Sequence, residues 1–213
     1  MTRGFILPKL PDPAPDARLS APATRRNLDP IRAILLAHAP QTGRALELAA
    51  GTGEHSVAFA HAFPGLAWQP TDIDAARLAS IAAWAAHCGP ETLRAPIPLN
   101  AGRPGWSDRH GPVEMILLVN LLHLISTRAA TTVLTEIALA LAPGGTAFLY
   151  GPFLRNGHPT SVGDARFHDS LRAADPATGY KDLAWVQEGL GPLSVHVATM
   201  PANNLMLIAR KAP

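Results

Sequence analysis

The chain has a single cysteine, Cys88, in 213 residues. One thiol excludes an intramolecular disulfide and any zinc site made of several cysteines; a reduced thiol, half-buried on a helix, is expected. Charge is scarce too, with Asp, Glu, Lys and Arg at 16% of residues and a formal balance of +2. No run of Lys or Arg could track a phosphate backbone, so nucleic acid is not an expected partner. Eighteen consecutive apolar residues occur nowhere, which removes a membrane-spanning helix. The apolar stretch within residues 1–10 is too short for a secretory signal and runs into Pro11, Pro13 and Pro15. A cytoplasmic location is therefore expected. Nine histidines are present, but none forms a His-Glu-x-x-His helix, and His55 and His61 fall on different faces of one helix. No metal site is expected.

What is present suits one globular unit. The apolar share is 47%, and a chain of this length buries roughly 70–75% of its extended surface. Residues 1–22 read as a Pro-rich arm and residues 23–213 as a single domain. Asp29 can cap a helix with Pro30 at its first position, ending near Ala39 before Pro40. Apolar runs at 45–49, 66–71, 93–100, 115–119 and 146–150 then alternate with helical segments at 54–63, 74–87 and 127–141. Pro96 and Pro98 make the third run an edge strand. Residues 115–119 are unbroken apolar, the mark of a strand covered on both faces. Ser126 or Thr127 can cap the helix that Pro143-Gly144-Gly145 ends.

Strands separated by helices imply right-handed crossovers and a parallel sheet. The last third departs from that rule. Helices are expected at 164–173 and 181–189, and strands at 193–199 and 205–210. The five residues from Met200 to Asn204 cannot hold a crossover helix, so the last two strands form an antiparallel hairpin.

The sharpest chemical signal is Glu47-Leu48-Ala49-Ala50-Gly51-Thr52-Gly53, between the first strand and the next helix. Ligands of open α/β folds bind at the carboxyl edge of the strands, where this turn lies. Gly51 and Gly53 permit close backbone approach, and Glu47 offers a carboxylate to an ammonium group or to the loop itself. A Gly-x-Gly turn alone is weak evidence. Asp72 strengthens it: it ends the second strand, nineteen residues past Gly53, where a carboxylate can accept from both hydroxyls of a ribose. Asp74 is then left to cap the following helix.

The segments 45–55, 68–72, Asn120-Leu121-Leu122-His123 and Tyr150-Gly151-Pro152-Phe153 resemble an uncharacterised domain-of-unknown-function family of the class I S-adenosylmethionine (SAM) methyltransferase superfamily. Arg26-Asn27, residues 167–175 and residues 200–205 resemble it as well, so the likeness runs from about Pro22 to Arg210. The resemblance implies a doubly wound α/β, Rossmann-like fold whose seven-stranded sheet is mostly parallel and ends in the antiparallel hairpin. It implies SAM as cofactor, held by Glu47, Ala49, Gly51, Gly53, Asp72, Ile73, Asn100 and Asn120. Ala49 stands where many members have glycine, and Asn100 where many have an aspartate facing the adenine amino group. Asn120-Leu121-Leu122-His123 is not the Asn/Asp-Pro-Pro-aromatic motif of enzymes that methylate amino groups of nucleic acid bases.

Methyl transfer from a sulfonium needs no covalent intermediate, so the acceptor leaves little trace in sequence. A small molecule accepting on oxygen, nitrogen or sulfur is expected. His123, just past the fourth strand, can take a proton from it, and Tyr150 and His158 can line its pocket. The resemblance draws attention to Arg25, Arg26, Asn203 and Asn204, although residue type alone reads them as solvated charges and turn formers. Two rival readings remain: a catalytically idle interaction protein of the same fold, and a nicotinamide-dependent oxidoreductase. Against the second, Ser56 occupies the place of the third dinucleotide-binding glycine. Oligomeric state leaves no signal in the sequence.

Overall fold

The structure is a computed structural model that describes residues 16–213. Most of the expected Pro-rich arm, residues 1–15, lies outside the described residues. Residues that follow it lie against the body of the protein. Leu19 is buried, its amide donates to the Ser80 hydroxyl, and its carbonyl accepts from the Trp84 indole.

Seven strands form one sheet in the order β3-β2-β1-β4-β5-β7-β6. They are β1 (Gly43–Leu48), β2 (Leu66–Asp72), β3 (Ile97–Pro98), β4 (Val113–Val119), β5 (Leu141–Gly151), β6 (Ser194–Thr199) and β7 (Leu205–Arg210). β1 to β5 pair in parallel, and β7 pairs antiparallel with both β5 and β6. The mostly parallel sheet and its terminal hairpin are those the sequence implies. From β1 the chain winds one way through β2 and β3, then returns to lay β4 on the other side of β1. The carboxyl ends of β1 and β4 thus flank a topological switch point, where an open α/β sheet leaves a crevice.

The helices are α1 (Pro22–His38), α2 (Glu54–Ala62), α3 (Ala75–Cys88), α4 (Ser107–His110), α5 (Thr127–Ala140), α6 (Val162–Ala174) and α7 (Leu183–Gly189). One face of the sheet packs Trp68, Met115 and Phe148 against Ile31, Leu35 and Phe59 of α1 and α2. The other packs Leu46, Ile116 and Leu149 against Val133, Leu134 and Ile137 of α5. Asp74 caps α3 and Ser126 caps α5 through their side chains, as their positions in the chain predict. No described helix is long and apolar enough to cross a membrane.

Several expectations need correction. α1 does not start at Asp29-Pro30; it begins eight residues earlier, with Pro22 in its first turn and Pro30 in its interior. Its buried positions Thr24, Asn27, Ile31 and Leu35 form one continuous stripe, and burying that stripe outweighs the hydrogen bond that Pro30 cannot donate. The third strand shrinks from residues 93–100 to Ile97–Pro98 at the sheet edge, because Pro96 before it and Pro98 within it cannot donate to the ladder. β5 starts at Leu141, ahead of Pro143-Gly144-Gly145, with a register shift against β4. The short α4 and a 3-10 turn at Leu122–Leu124 carry too few residues to show a period. Cys88 is exposed at the end of α3.

Candidate functional site

β1 and β4 both end in residues with left-handed backbone. Ala49 follows β1 at φ +52° and Asn120 follows β4 at φ +56°. For residues other than glycine this conformation costs roughly 1–2 kcal/mol, and such strain clusters at functional sites. The departure of Ala49 from glycine therefore falls at a position whose φ favours glycine. Beyond it the chain turns through Gly51 at φ +65° and enters α2 from Gly53 at φ +93°.

The two glycines serve different ends. A Cβ on Gly51 would find only the Arg77 guanidinium at 3.8 Å and the Ala49 carbonyl at 4.0 Å. A Cβ on Gly53 would press to 2.8 Å from the Ile81 backbone. Gly51 faces open space, whereas Gly53 lets α2 and α3 approach.

Asp72 ends β2 directly beside this turn. Its Oδ2 accepts from the Gly51 amide at 2.9 Å, and its Oδ1 from the Ile73 and Asp74 amides at 2.8 and 3.0 Å. Those bonds take three of about four carboxylate lone-pair sites, leaving one on Oδ2. Burial raises the Asp72 carboxyl above its usual range, against the pull of the three amides and of Arg77. Glu47 is more deeply enclosed, at 2% exposure. Its Oε2 accepts from the Ser56 hydroxyl and the Trp68 indole, both at 2.7 Å. Burial, with the Asp72 charge adding to it, lifts Glu47 to about 7.

These groups form one wall of a cavity of about 770 Å³, within the ~300–1,000 Å³ of small-molecule sites. One end runs from Glu47, Ala49 and Gly51 past Asp72 and Ile73 to Leu99 and Ala101. The other end is built by β4, β5, α1, α2 and α6. His123 there is 6% exposed, opens on the cavity, and receives no hydrogen bond at its ring from the described residues. Phe167 and Tyr180 meet it edge-on, with centroids 5.8 and 5.9 Å away. Burial, and secondarily the Lys181 charge, depress the imidazole to about 3, so it is neutral at physiological pH. Lys181 is itself buried, bonded to the Ile125 and Gly179 carbonyls, and lowered to about 8 chiefly by burial.

Of the residues the sequence singled out, Glu47, Ala49, Gly51, Asp72, Ile73, Asn120, His123 and Tyr150 line this cavity. Gly53 and Asn100 do not. The Asn100 carbonyl oxygen instead accepts from the Gly102 amide and shapes the turn after β3, while its neighbours Leu99 and Ala101 face the cavity. His158 is exposed and away from the wall, in a tight turn with Arg155. Arg25 is solvated, as residue type implies, but Arg26 reaches the cavity. Asn204 lines the cavity too, and Asn203 donates to Asp164.

Asn27, His55, Arg77, Asp164 and Phe167, to which the sequence assigns no role in the site, are all on the cavity wall. Each lies on a helix, where only knowledge of the buried face reveals which polar residue turns inward. The resemblance, which runs through Arg26-Asn27, residues 45–55 and residues 167–175, was the signal available for Asn27, His55 and Phe167.

Residues 18–211 match a family described as "Protein of unknown function (DUF938)". The chain belongs to this family. Its fold is shared with solved methyltransferases at low identity. A Nostoc punctiforme PCC 73102 protein assigned to the O-methyltransferases superposes with a TM-score of 0.78 at 20% identity, over 92% of this DUF938 chain and 58% of that one. An O-methyltransferase family protein of Burkholderia thailandensis gives 0.72 at 18%, over 89% and 56%. Human N-acetylserotonin methyltransferase in complex with SAM gives 0.68 at 15%, over 90% and 53%. The DUF938 chain thus spans little more than half the length of these three proteins. Its fold is that of SAM-dependent methyltransferases.

Proposed function

We propose that this protein binds SAM at the β1–β2 end of the cavity and methylates a small molecule, on oxygen in preference to nitrogen or sulfur. The carrying observation is the Asp72 carboxylate, drawn onto the Gly51 amide at 2.9 Å with one lone-pair site left toward the cavity. The residues present fit the cofactor. Gly51 leaves the approach to the backbone open, Asp72 can accept from a ribose hydroxyl, and Leu99 and Ala101 offer an apolar wall to a flat base. Glu47, raised to about 7 and so only partly ionised at neutral pH, can release its proton and pair as a carboxylate with an ammonium group.

SAM, when bound, supplies an electrophilic methyl group on a sulfonium. The chain's own task is to hold the acceptor in line and keep water out, which needs position more than reactivity. His123 suits an oxygen acceptor. Its neutral ring, too weak a base at about 3 to hold a proton at neutral pH, can accept a hydrogen bond from a hydroxyl and orient the oxygen, while the proton released on methylation passes to solvent. Phe167 and Tyr180 hold that ring from its edges. The O-methyltransferase names of two proteins with this fold support the same choice of atom.

Calorimetric titration with SAM and its demethylated product tests the reading. Asp72→Asn should weaken both by about ten- to a hundredfold, as expected for the loss of one charge-assisted hydrogen bond. A folded wild type with no affinity for either nucleoside, or with a preference for NADH, overturns it.

A further inference from the structure

A second cleft, toward the amino edge of the sheet, takes no part in the methyl-transfer reading. In a doubly wound sheet each crossover lays a helix over one face, so that both faces are covered. The link from β3 to β4 carries only the four-residue α4. That helix is too short to lie along two strands, and part of the face that α5 covers elsewhere is left bare. β2 records the gap. Leu66 and Trp68 are buried on the side of α2, whereas Ala67 and Gln69, which alternate with them, are only half-buried. The result is a cleft of about 320 Å³ near the starts of β1, β2 and β4, and it shares no lining residue with the cofactor cavity.

The floor of the cleft is apolar, from Leu46, Ala67 and Ile97, and its rim is basic. Arg44 from β1, Arg94 from the link after α3 and His110 from α4 converge on it, and no carboxylate lines it. Arg44 is held in place, because its guanidinium donates to the His110 and Pro112 carbonyls at 2.8 and 3.3 Å. Glu114, beside it, accepts from the Arg44 backbone amide at 2.6 Å. Neither arginine makes an ion pair among the described residues. Burial, then the charges of Arg109 and Arg44, hold the His110 imidazole below its usual range. At neutral pH the uncharged ring keeps one N–H to donate. Two guanidinium charges that no carboxylate in the cleft answers favour a dianion over a monoanion. Guanidinium forks also match phosphate oxygens in geometry.

We propose that this cleft binds a small phosphate monoester, with the phosphate between Arg44 and Arg94 and the carbon body on the floor of Leu46, Ala67 and Ile97. The site does not depend on the SAM reading. β1 and β2 carry it near their starts and carry Glu47 and Asp72 toward their ends.

Three probes separate its parts. Phenyl phosphate carries both the dianion and a ring, inorganic phosphate only the anion, and benzoate a ring with a single charge. In two-dimensional amide NMR of the wild type, phenyl phosphate should shift the amides of Arg44, Ala67, Arg94 and Ile97 saturably, and bind more tightly than either other probe. Arg94 is exposed, so its replacement should leave the rest of the spectrum in place. Arg94→Ala should weaken phenyl phosphate about tenfold, the scale of one charge-assisted hydrogen bond, and Arg94→Lys should recover part of the loss. Shifts confined to Gly51 and Ile73 would put the probe in the cofactor cavity and overturn the site. Benzoate binding as tight as that of phenyl phosphate, or an unchanged affinity in Arg94→Ala, would overturn it equally. Affinity for SAM is measured separately, so either reading can fail alone.

Discussion

Gly51 and Gly53 are two residues apart in one turn, yet the structure asks different things of them. Both have positive φ, so alanine at either should strain the backbone by roughly 1–2 kcal/mol. Only at Gly53 would the added methyl also meet backbone, at 2.8 Å from the Ile81 Cα. Gly53→Ala is therefore expected to lower the melting temperature clearly more than Gly51→Ala, because α2 and α3 must separate to admit it. Differential scanning calorimetry of the two variants decides this, and equal losses would contradict the packing role assigned to Gly53. Asp72 and Glu47 differ in the same manner. Asp72 is bonded to two amides of its own turn and to the Gly51 amide of the turn after β1, while Glu47 spends one oxygen on the Trp68 indole and the Ser56 hydroxyl in the core. Their residue types and positions were legible in the sequence, since a short turn fixes both. The raised proton affinity of Glu47 was not, because it comes from burial beneath β2 and α2, against the opposing hydrogen bonds of Trp68 and Ser56.

Among the elements, α1 matters most to the site and was read least well. Its N-cap residue, Ala21, offers no side-chain cap. Glu54, from the start of α2, supplies one by accepting from the Ala21 amide at 2.9 Å and the Ser20 hydroxyl at 2.8 Å. The reach back to a cap-residue amide resembles a capping box, but the carboxylate comes from another helix. Ser80 adds a second tie, accepting from the Leu19 amide and donating to the Thr52 carbonyl. The segment that begins α1 is thereby fastened to the same loop that carries Gly51. Glu54→Ala should cost about 1–2 kcal/mol, the scale of a lost N-cap, and speed hydrogen exchange of the amides from Ala23 to Asn27. Unchanged exchange there would show that packing of Ile31 and Leu35 alone holds α1. Pro30 misled the reading of this helix because proline at a first helical position is the common case. The long-range cap at Glu54 and the buried stripe that tolerate an interior proline are both tertiary.

For the whole molecule, the cavity stores unfavourable protonation equilibria of both signs. His55 and His123 titrate near 4 and 3 in the folded protein against 6.5 in an exposed chain. Below about pH 6.5 the unfolded chain takes up protons that the folded one refuses, so these residues make stability fall as the pH drops toward 4. Glu47 acts oppositely. Its folded value of about 7 lies above the ordinary 4.5, so between these values the folded state holds a proton the unfolded state has lost, and acidification stabilises. Asp72, also raised, adds to that side. Between pH 6.5 and 5 the melting temperature of His123→Gln should therefore fall less than that of the wild type, and that of Glu47→Gln should fall more. Parallel curves for the three proteins would mean that neither group is buried as the fold describes.

Local chemistry determined a good part of this protein by sequence alone. The alternation of strands and helices, the caps at Asp74 and Ser126, the Gly51 turn, the acid at the end of β2 and the closing hairpin each depend on neighbours a few residues away or on a link too short for any other connection. Tertiary structure alone decided which side chains meet. The order of strands about β1 set the crevice, and helix packing turned Asn27, His55 and Arg77 into it while leaving Asn100 and His158 outside. It also set the protonation of His123 and Glu47. Burial and charge act through space, between groups as far apart in the chain as Arg26 and Tyr150, and no local pattern of residues carries that information.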